Sequence, residues 1–252
     1  MTTIRTLALV SVSLLAGAAR AADAGAPPDV SSRSSKAILD DYARAIGGEQ
    51  ALGRHKNVYL KREIGVKGMG VNGTEERWST AAGQLLSVTT LPGIGVVKQG
   101  STGKVRWAED PINGLRILKG AEEEQARLEG TWNADLKLAK LYKKVEVVPR
   151  PEGAPKSTPL ECLKLTPAVG QPAVSCFDAN THLRVYQQGK QATPQGEVPY
   201  TAHLSDWRDV EGVKLPFREE TTAGPMAVEA RIAEVKFDQK MAPSLFKLPK
   251  AH

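Results

Sequence analysis

The chain has 252 residues, a formal charge of +6, 41% hydrophobic residues and two cysteines. That length suits one domain of about 200 residues once a leader is set aside. Its lysines and arginines alternate with acids, as in Lys61-Arg62-Glu63 and Arg218-Glu219-Glu220, which reads as a solvated face and, with no basic patch or RNA-binding motif, argues against a nucleic-acid partner.

Arg5, the apolar run Leu7 to Ala18 and the small-x-small triplet Ala19-Arg20-Ala21 predict a secretory signal peptide over 1–21, cleaved after Ala21. The run is well short of the ~20 residues that span hydrocarbon. Leu14-Leu15-Ala16-Gly17 is followed by Ala18 rather than Cys, so no lipid anchor is expected, and the mature chain should be a soluble periplasmic protein. Cleavage removes Arg5 and Arg20 and no acid, leaving a charge of +4.

Residues 22–35, rich in Ala, Pro, Ser and Gly, read as a flexible leader, and 36–252 as a single domain. Ser35 is expected to cap a helix through Ile46, with Ile38, Tyr42, Ala45 and Ile46 on one face and Gly47-Gly48 ending it. A short turn at Ala51-Leu52 follows.

From Asn57 the pattern changes to short runs of β-formers separated by turn residues. Val58, Leu60 and Ile64 alternate with Tyr59, Lys61 and Glu63, and Asn72-Gly73 signals a tight turn before a strand over Thr74 to Thr80. Further strands are expected at Gln84–Thr90, Ile94–Gln99, Lys104–Ala108 and Leu115–Lys119. Ala121–Leu128 and Ala134–Tyr142 then read as helical, with Trp132 between them.

Strands resume at Lys144–Val148, Leu160–Leu165, Ala173–Phe177, Leu183–Gln188, Tyr200–Trp207, Val213–Glu220 and Met226–Phe237. In the last, Met226, Val228, Ala230 and Ile232 hold one phase and Ala233, Val235 and Phe237 the other, which predicts a bulge. Pro149 to Pro159 and Gly189 to Pro199 look like long loops. A dozen or so strands joined by hairpin-length loops predict an antiparallel α+β fold in which a strongly curved sheet wraps around inserted helices.

Cys162 and Cys176 are centred on Val169. A hairpin about that centre sets Leu163 opposite Ser175, Leu165 opposite Ala173 and the cysteines opposite each other, which predicts a cross-strand disulfide.

The chain carries no catalytic signature. His55, His182, His203 and His252 are isolated, no His-Glu-x-x-His or Gly-x-Ser-x-Gly occurs, and no glycine-rich loop leads from a strand into a helix. Glu109-Asp110 precede Pro111 and read as a turn, and Glu122-Glu123-Glu124 as an acidic first helical turn. No catalytic residue, metal ligand or cofactor is assigned, and a non-enzyme is expected.

Four patterns recur in order along the chain: Ile38-Leu39-Asp40-x-Tyr42 running into Ile46-Gly47-Gly48 and Ala51-Leu52; Gly103-x-x-x-Trp107 with Asp110-Pro111-x-x-Gly114-x-x-x-Leu118-x-Gly120-x-Glu122; Cys176-Phe177-Asp178-Ala179-x-Thr181-x-Leu183; and Ser205-Asp206-Trp207-Arg208-x-Val210-x-Gly212-Val213-x-Leu215-Pro216-Phe217. Together they resemble the outer-membrane lipoprotein-sorting superfamily of LolA/LolB-like carriers. The resemblance implies an unclosed β-barrel whose concave face, lidded by helices, holds a hydrophobic ligand such as a lipid or lipoprotein acyl chain. Residues themselves explain two of the motifs as turns, with Asp178 accepting backbone hydrogen bonds and Asp209 to Gly212 forming the next corner.

On this reading Trp78, Leu86, Val88, Trp107, Leu118, Leu128, Trp132 and Leu136 are the candidate cavity lining, and each also suits ordinary core packing. A monomeric carrier is the leading expectation. An envelope protein–protein interaction module without a small ligand is the alternative, and a hydrolase with a dispersed acid pair comes third.

Overall fold

The computed structural model describes residues 31–250. The expected signal peptide and most of the expected leader lie outside them. Residues 31–34, assigned above to the leader, are docked: Ser31 Oγ and Arg33 Nη1 donate to the Glu161 carboxylate at 2.9 and 2.8 Å. Ser34, one residue earlier than expected, caps helix α1 (Ser35–Ala45) by accepting from the Ala37 amide at 3.2 Å. A one-turn helix α2 (Gly48–Leu52) follows.

The first meander is β1 (Asn57–Lys67), β2 (Val71–Thr80), β3 (Gln84–Leu91), β4 (Gly95–Thr102), β5 (Arg106–Asp110) and β6 (Gly114–Ile117). Helix α3 (Gly120–Gly130), a 3-10 turn at Ala134–Leu136 and the short α4 (Leu138–Leu141) lead to the second. That second meander is β7 (Lys144–Val148), β8 (Leu160–Thr166), β9 (Ala173–Asp178), β10 (Arg184–Thr193), β11 (Gly196–Val210), β12 (Val213–Ala223) and β13 (Met226–Phe237). Pairing of β1 with β13 joins the two into one antiparallel 13-stranded sheet whose edge strands, β6 and β7, are not bonded to each other. The fold is therefore an α+β, curved, unclosed sheet. No helix among the described residues is long and apolar enough to cross a membrane.

Strand alternation gives the sheet a face toward α1, α3 and α4, here the concave face, and an outer face. Beneath α1 the concave face is a packed, mainly apolar core. Ile38, Leu39, Tyr42 and Ile46 pack on Leu163, Leu165, Phe177 and Leu183, with Leu138 of α4 beside them, and Tyr42 meets Phe177 at 4.9 Å between ring centroids. Gly47 lets α1 close on the β11–β12 corner: its φ is +113°, and a Cβ there would overlap the Gly212 carbonyl oxygen.

The disulfide joins Cys162 to Cys176, in the expected register of Leu163 opposite Ser175 and Leu165 opposite Ala173. On the outer face it packs with Tyr186 and with Ala154 of the 149–159 loop. The bulge in β13 is also present, with the pairing to β1 shifting between Lys61 and Arg62 so that Ala233 has no partner. Asp178 accepts from the amides of Asn180 and Thr181 at 2.7 and 3.3 Å, and Asp209 from that of Gly212 at 2.9 Å.

Two expected boundaries are wrong. The first turn is not at Asn72-Gly73 but at 68–70, where Gly68 and Gly70 take φ of +81° and +64°. Gly73 lies within β2 and is needed for close packing, because a Cβ there would strike the Thr90 carbonyl and Leu91. Nor is 189–199 a long loop. The ladder continues from Gly189↔Tyr200 to Thr193↔Gly196, since backbone pairing tolerates Gly189 and leaves Pro199 only to forgo a donor.

Candidate functional site

Away from α1 the concave face does not fill. Helix α3 crosses it carrying Glu122, Glu123, Glu124, Gln125, Arg127 and Glu129, and charged side chains of the sheet rise to meet it. Arg116 Nη1 donates to Glu122 at 2.8 Å, Arg106 Nη1 lies 3.7 Å from Glu123, and Arg77 Nη2 donates to the Glu129 carbonyl at 3.0 Å. A helix held by such contacts stands off the sheet instead of interlocking with it.

The space beneath is a cavity of about 440 Å³ bounded by Arg62, Arg77, Arg184, Glu129, Asp135 and Glu219, with Gln125, Gln187, Gln191, Tyr142, Tyr200 and Thr221 between them and Leu128, Leu138, Ala134 and Ala202 as apolar wall. A second cavity of about 270 Å³ continues past Arg77 and Glu129 toward Leu85, Leu118, Ala126 and Trp132. A third, of about 100 Å³, adjoins through Leu128, Glu129, Tyr142, Gln187 and Tyr200 and opens by Val169 and Gly170 of the β8–β9 loop. Shared walls make the three one groove along α3, and Glu129 borders all of them.

Its charges are not equivalent. Glu75 is buried; burial alone would raise its pKa, but Arg62 and the Ser87 hydroxyl outweigh that and hold the carboxyl below the usual range. Ser87 donates at 2.7 Å and Arg62 Nε at 2.7 Å. Arg62 also lies 3.4 Å from Glu219, so it is satisfied twice. Arg184 Nη1 reaches Asp135 at 3.3 Å and its guanidinium sits 5.7 Å from the Tyr42 ring centre. Burial pushes the Tyr42 phenol well above its ordinary value, and that of Tyr200, which accepts from Gln187 at 3.0 Å, likewise.

Arg77 and Glu129 differ from these. Among the described residues Arg77 makes no ion pair within 4.0 Å, and burial first, then Arg62, pulls its pKa down. The Glu129 carboxylate is open to the groove, and among the described residues its one hydrogen-bond partner is Gln125 at 3.0 Å. The protein around it deprives it of solvation and raises its pKa. Among the described residues no three His, Cys, Asp or Glu side chains approach closely enough to hold a metal. His55 is held between Phe237, at 4.0 Å ring to ring, and the Asp238 carboxylate at 2.8 Å.

The eight residues expected to line the cavity divide. Leu118 and Trp132 border the second cavity, Leu128 the first and third. Leu136 packs against the α1 core. Trp78, Leu86 and Val88 are on the outer face and are removed from the lining: Trp78 pairs with Tyr59 and Leu86, with Tyr59 and Trp78 rings 5.3 Å apart. The C-terminal segment through the 3-10 turn Pro243–Phe246 covers β3 and β4 there, so both faces of these strands bury apolar side chains and alternation alone does not say which is concave. Trp107 stands in the same row by register, its indole packed over Gly100, and also borders the second cavity.

The reading of Lys61-Arg62-Glu63 and Arg218-Glu219-Glu220 as wholly solvated is also corrected, because Arg62 and Glu219 point inward. Sequence carried a signal for both: Arg62 is in phase with Leu60 and Ile64, and Glu219 with Val213, Leu215 and Phe217. A charge in the apolar phase of a strand is a buried charge or a site.

No family model and no curated protein matches the chain. Solved structures do match in shape. A DUF1329 family protein from Desulfovibrio piger is 12% identical at TM-score 0.54, covering 84% of this chain and 96% of its own. A putative outer membrane lipoprotein-sorting protein domain from Vibrio parahaemolyticus is 10% identical at 0.53, with 83% and 94% covered. A LolA superfamily protein from Nitrosomonas europaea is 11% identical at 0.52, with 86% and 98% covered. The fold is thus LolA-like.

Proposed function

We propose that this chain is a non-catalytic binding or carrier protein of the periplasm that takes an amphipathic ligand, such as a lipid or the acylated end of a lipoprotein, into the groove under α3. The observation that carries the reading is unfilled concave volume, about 440 Å³ in its main part, within the range of small-molecule sites. The likeness to a LolA superfamily structure and to a lipoprotein-sorting domain supports carriage as the use of that space. Charged walls narrow the expected hydrophobic ligand to one with a polar end.

The rim of the sheet suits such a cargo. Antiparallel pairing brings the β1–β2, β3–β4, β5–β6, β8–β9, β10–β11 and β12–β13 connections to one end. Five of the six present an exposed aliphatic side chain: Met69, Ile94, Ile112, Val169 and Met226. An alkyl chain leaving a membrane can pass these tips without first desolvating a charge.

The test is binding of a fluorescent alkyl probe, N-phenyl-1-naphthylamine, to the purified mature protein and to Thr221→Trp. Thr221 faces the main cavity from β12, and a strand accepts tryptophan. Saturable binding lost in the variant, at unchanged circular dichroism, supports the reading. Binding to neither, or equally to both, contradicts it.

A further inference from the structure

We infer that the groove contains an anion subsite at Arg77, which receives the carboxylate or phosphate of the ligand while the alkyl portion extends along Leu85, Leu118 and Trp132. This rests on the carrier reading above and specifies the chemistry of the ligand.

A guanidinium has five N–H donors, and the one hydrogen bond Arg77 makes among the described residues is Nη2 to the Glu129 carbonyl at 3.0 Å. The other two arginines of the cavity have counter-ions, Arg62 in Glu75 and Glu219 and Arg184 in Asp135, although the buried Arg184 Nε has no hydrogen-bond partner among the described residues. A half-buried cation without a counter-ion gives up hydration with nothing to offset it, and nothing in the fold of β2 requires arginine: neighbouring positions on the same face are Glu75 and Ser79. Arg77 is also the sheet residue common to the first two cavities, so a group bound there has polar space on one side and Leu85, Leu118, Ala126 and Trp132 on the other. The groups facing Arg77 are Arg62, Glu75, Glu129 and Glu219. Of these carboxylates Glu129 is the one without a cationic partner among the described residues. It leaves the Arg77 donors free, because its carboxylate does not come within 4.0 Å of the guanidinium. Arginine's planar fork fits carboxylate and phosphate in two parallel hydrogen bonds.

Isothermal titration of the mature protein with decyl phosphate, decyl glucoside and inorganic phosphate tests this, alongside Arg77→Gln and Glu129→Gln. A charge-assisted hydrogen bond corresponds to roughly ten- to a hundredfold in affinity. Decyl phosphate should bind more tightly than decyl glucoside by about that factor. R77Q should abolish the preference while leaving the glucoside unchanged, and E129Q should widen it. Competition by inorganic phosphate assigns the subsite to free anions as well, and failure to compete assigns it to headgroups; either result supports an anion subsite. Equal affinity for the two amphiphiles in the wild type overturns the subsite and leaves the carrier reading standing. Phosphate binding lost in R77Q with no amphiphile bound keeps the subsite and overturns the carrier. Should R77Q fail to fold, an unchanged preference in E129Q overturns the inference.

Discussion

Two regions of one concave face have been treated in opposite ways. Under α1, strands β7 to β9 meet a helix whose inward residues are Ile38, Leu39, Tyr42 and Ile46, and the interface closes. Under α3, the same sheet meets a helix with no buried residue of its own, and Arg62, Arg77, Glu129 and Glu219 remain around open space. The sheet is continuous between them, so curvature does not decide which region is core and which is cavity. The covering helix does, through the chemistry of its inward side.

The contrast is sharpest in truncations. Phe177→Ala, beneath α1, should cost about 4 kcal/mol in chemical denaturation, as large-to-small changes in packed cores do. Leu128→Ala, on the groove side of α3, should cost under about 1 kcal/mol, because the residue already borders space. Equal costs would mean that the groove is packed.

Next in size is the staple on the outer side of the packed region. Cys162 and Cys176 are separated by 14 positions, and replacing both by alanine should cost about 3 kcal/mol on the chain-entropy account. Ligand affinity should not change, since the disulfide faces away from the groove.

Two carboxylates of the polar region should then respond to pH with opposite sign. Glu75 is held below its ordinary range by Arg62 and Ser87 despite its burial. Its contribution is present above the ordinary carboxylate pKa and is lost as pH falls through the lowered folded value. Glu75→Gln should therefore destabilise by about 2 kcal/mol at neutral pH, with the deficit vanishing in acid. For Glu129, raised by burial, the penalty is absent below the ordinary range and complete above the raised folded value. Glu129→Gln should stabilise at neutral pH by well under about 1 kcal/mol, because the groove admits solvent that screens the charge, and should have no effect near pH 4. Melting curves of both variants across pH 4 to 8 check the pair, and a common sign would remove the distinction drawn between them.

What the sequence made legible follows from the same division. Short antiparallel strands, the opposed cysteines, the β13 bulge and the Asp178 and Asp209 corners are local, set by alternation and turn chemistry within a few residues. Face assignment is not local. Apolar strand residues point to a core, which places Trp78, Leu86 and Val88 in the expected lining, yet the core they serve lies under the C-terminal segment, more than 150 positions away. Arg77 looks like an ordinary charge on an ordinary strand, and only the passage of α3 over β2 encloses it. Arg62 and Glu219 were readable in principle, from their phase.

The measurement that bears most directly on an open, ligand-bearing concave face is native mass spectrometry of the purified protein, before and after extraction with organic solvent. The account predicts a population carrying the extra mass of an acidic amphiphile, removed by extraction and absent from Thr221→Trp. A bare chain mass in every charge state, with no uptake of decyl phosphate on titration, would contradict it.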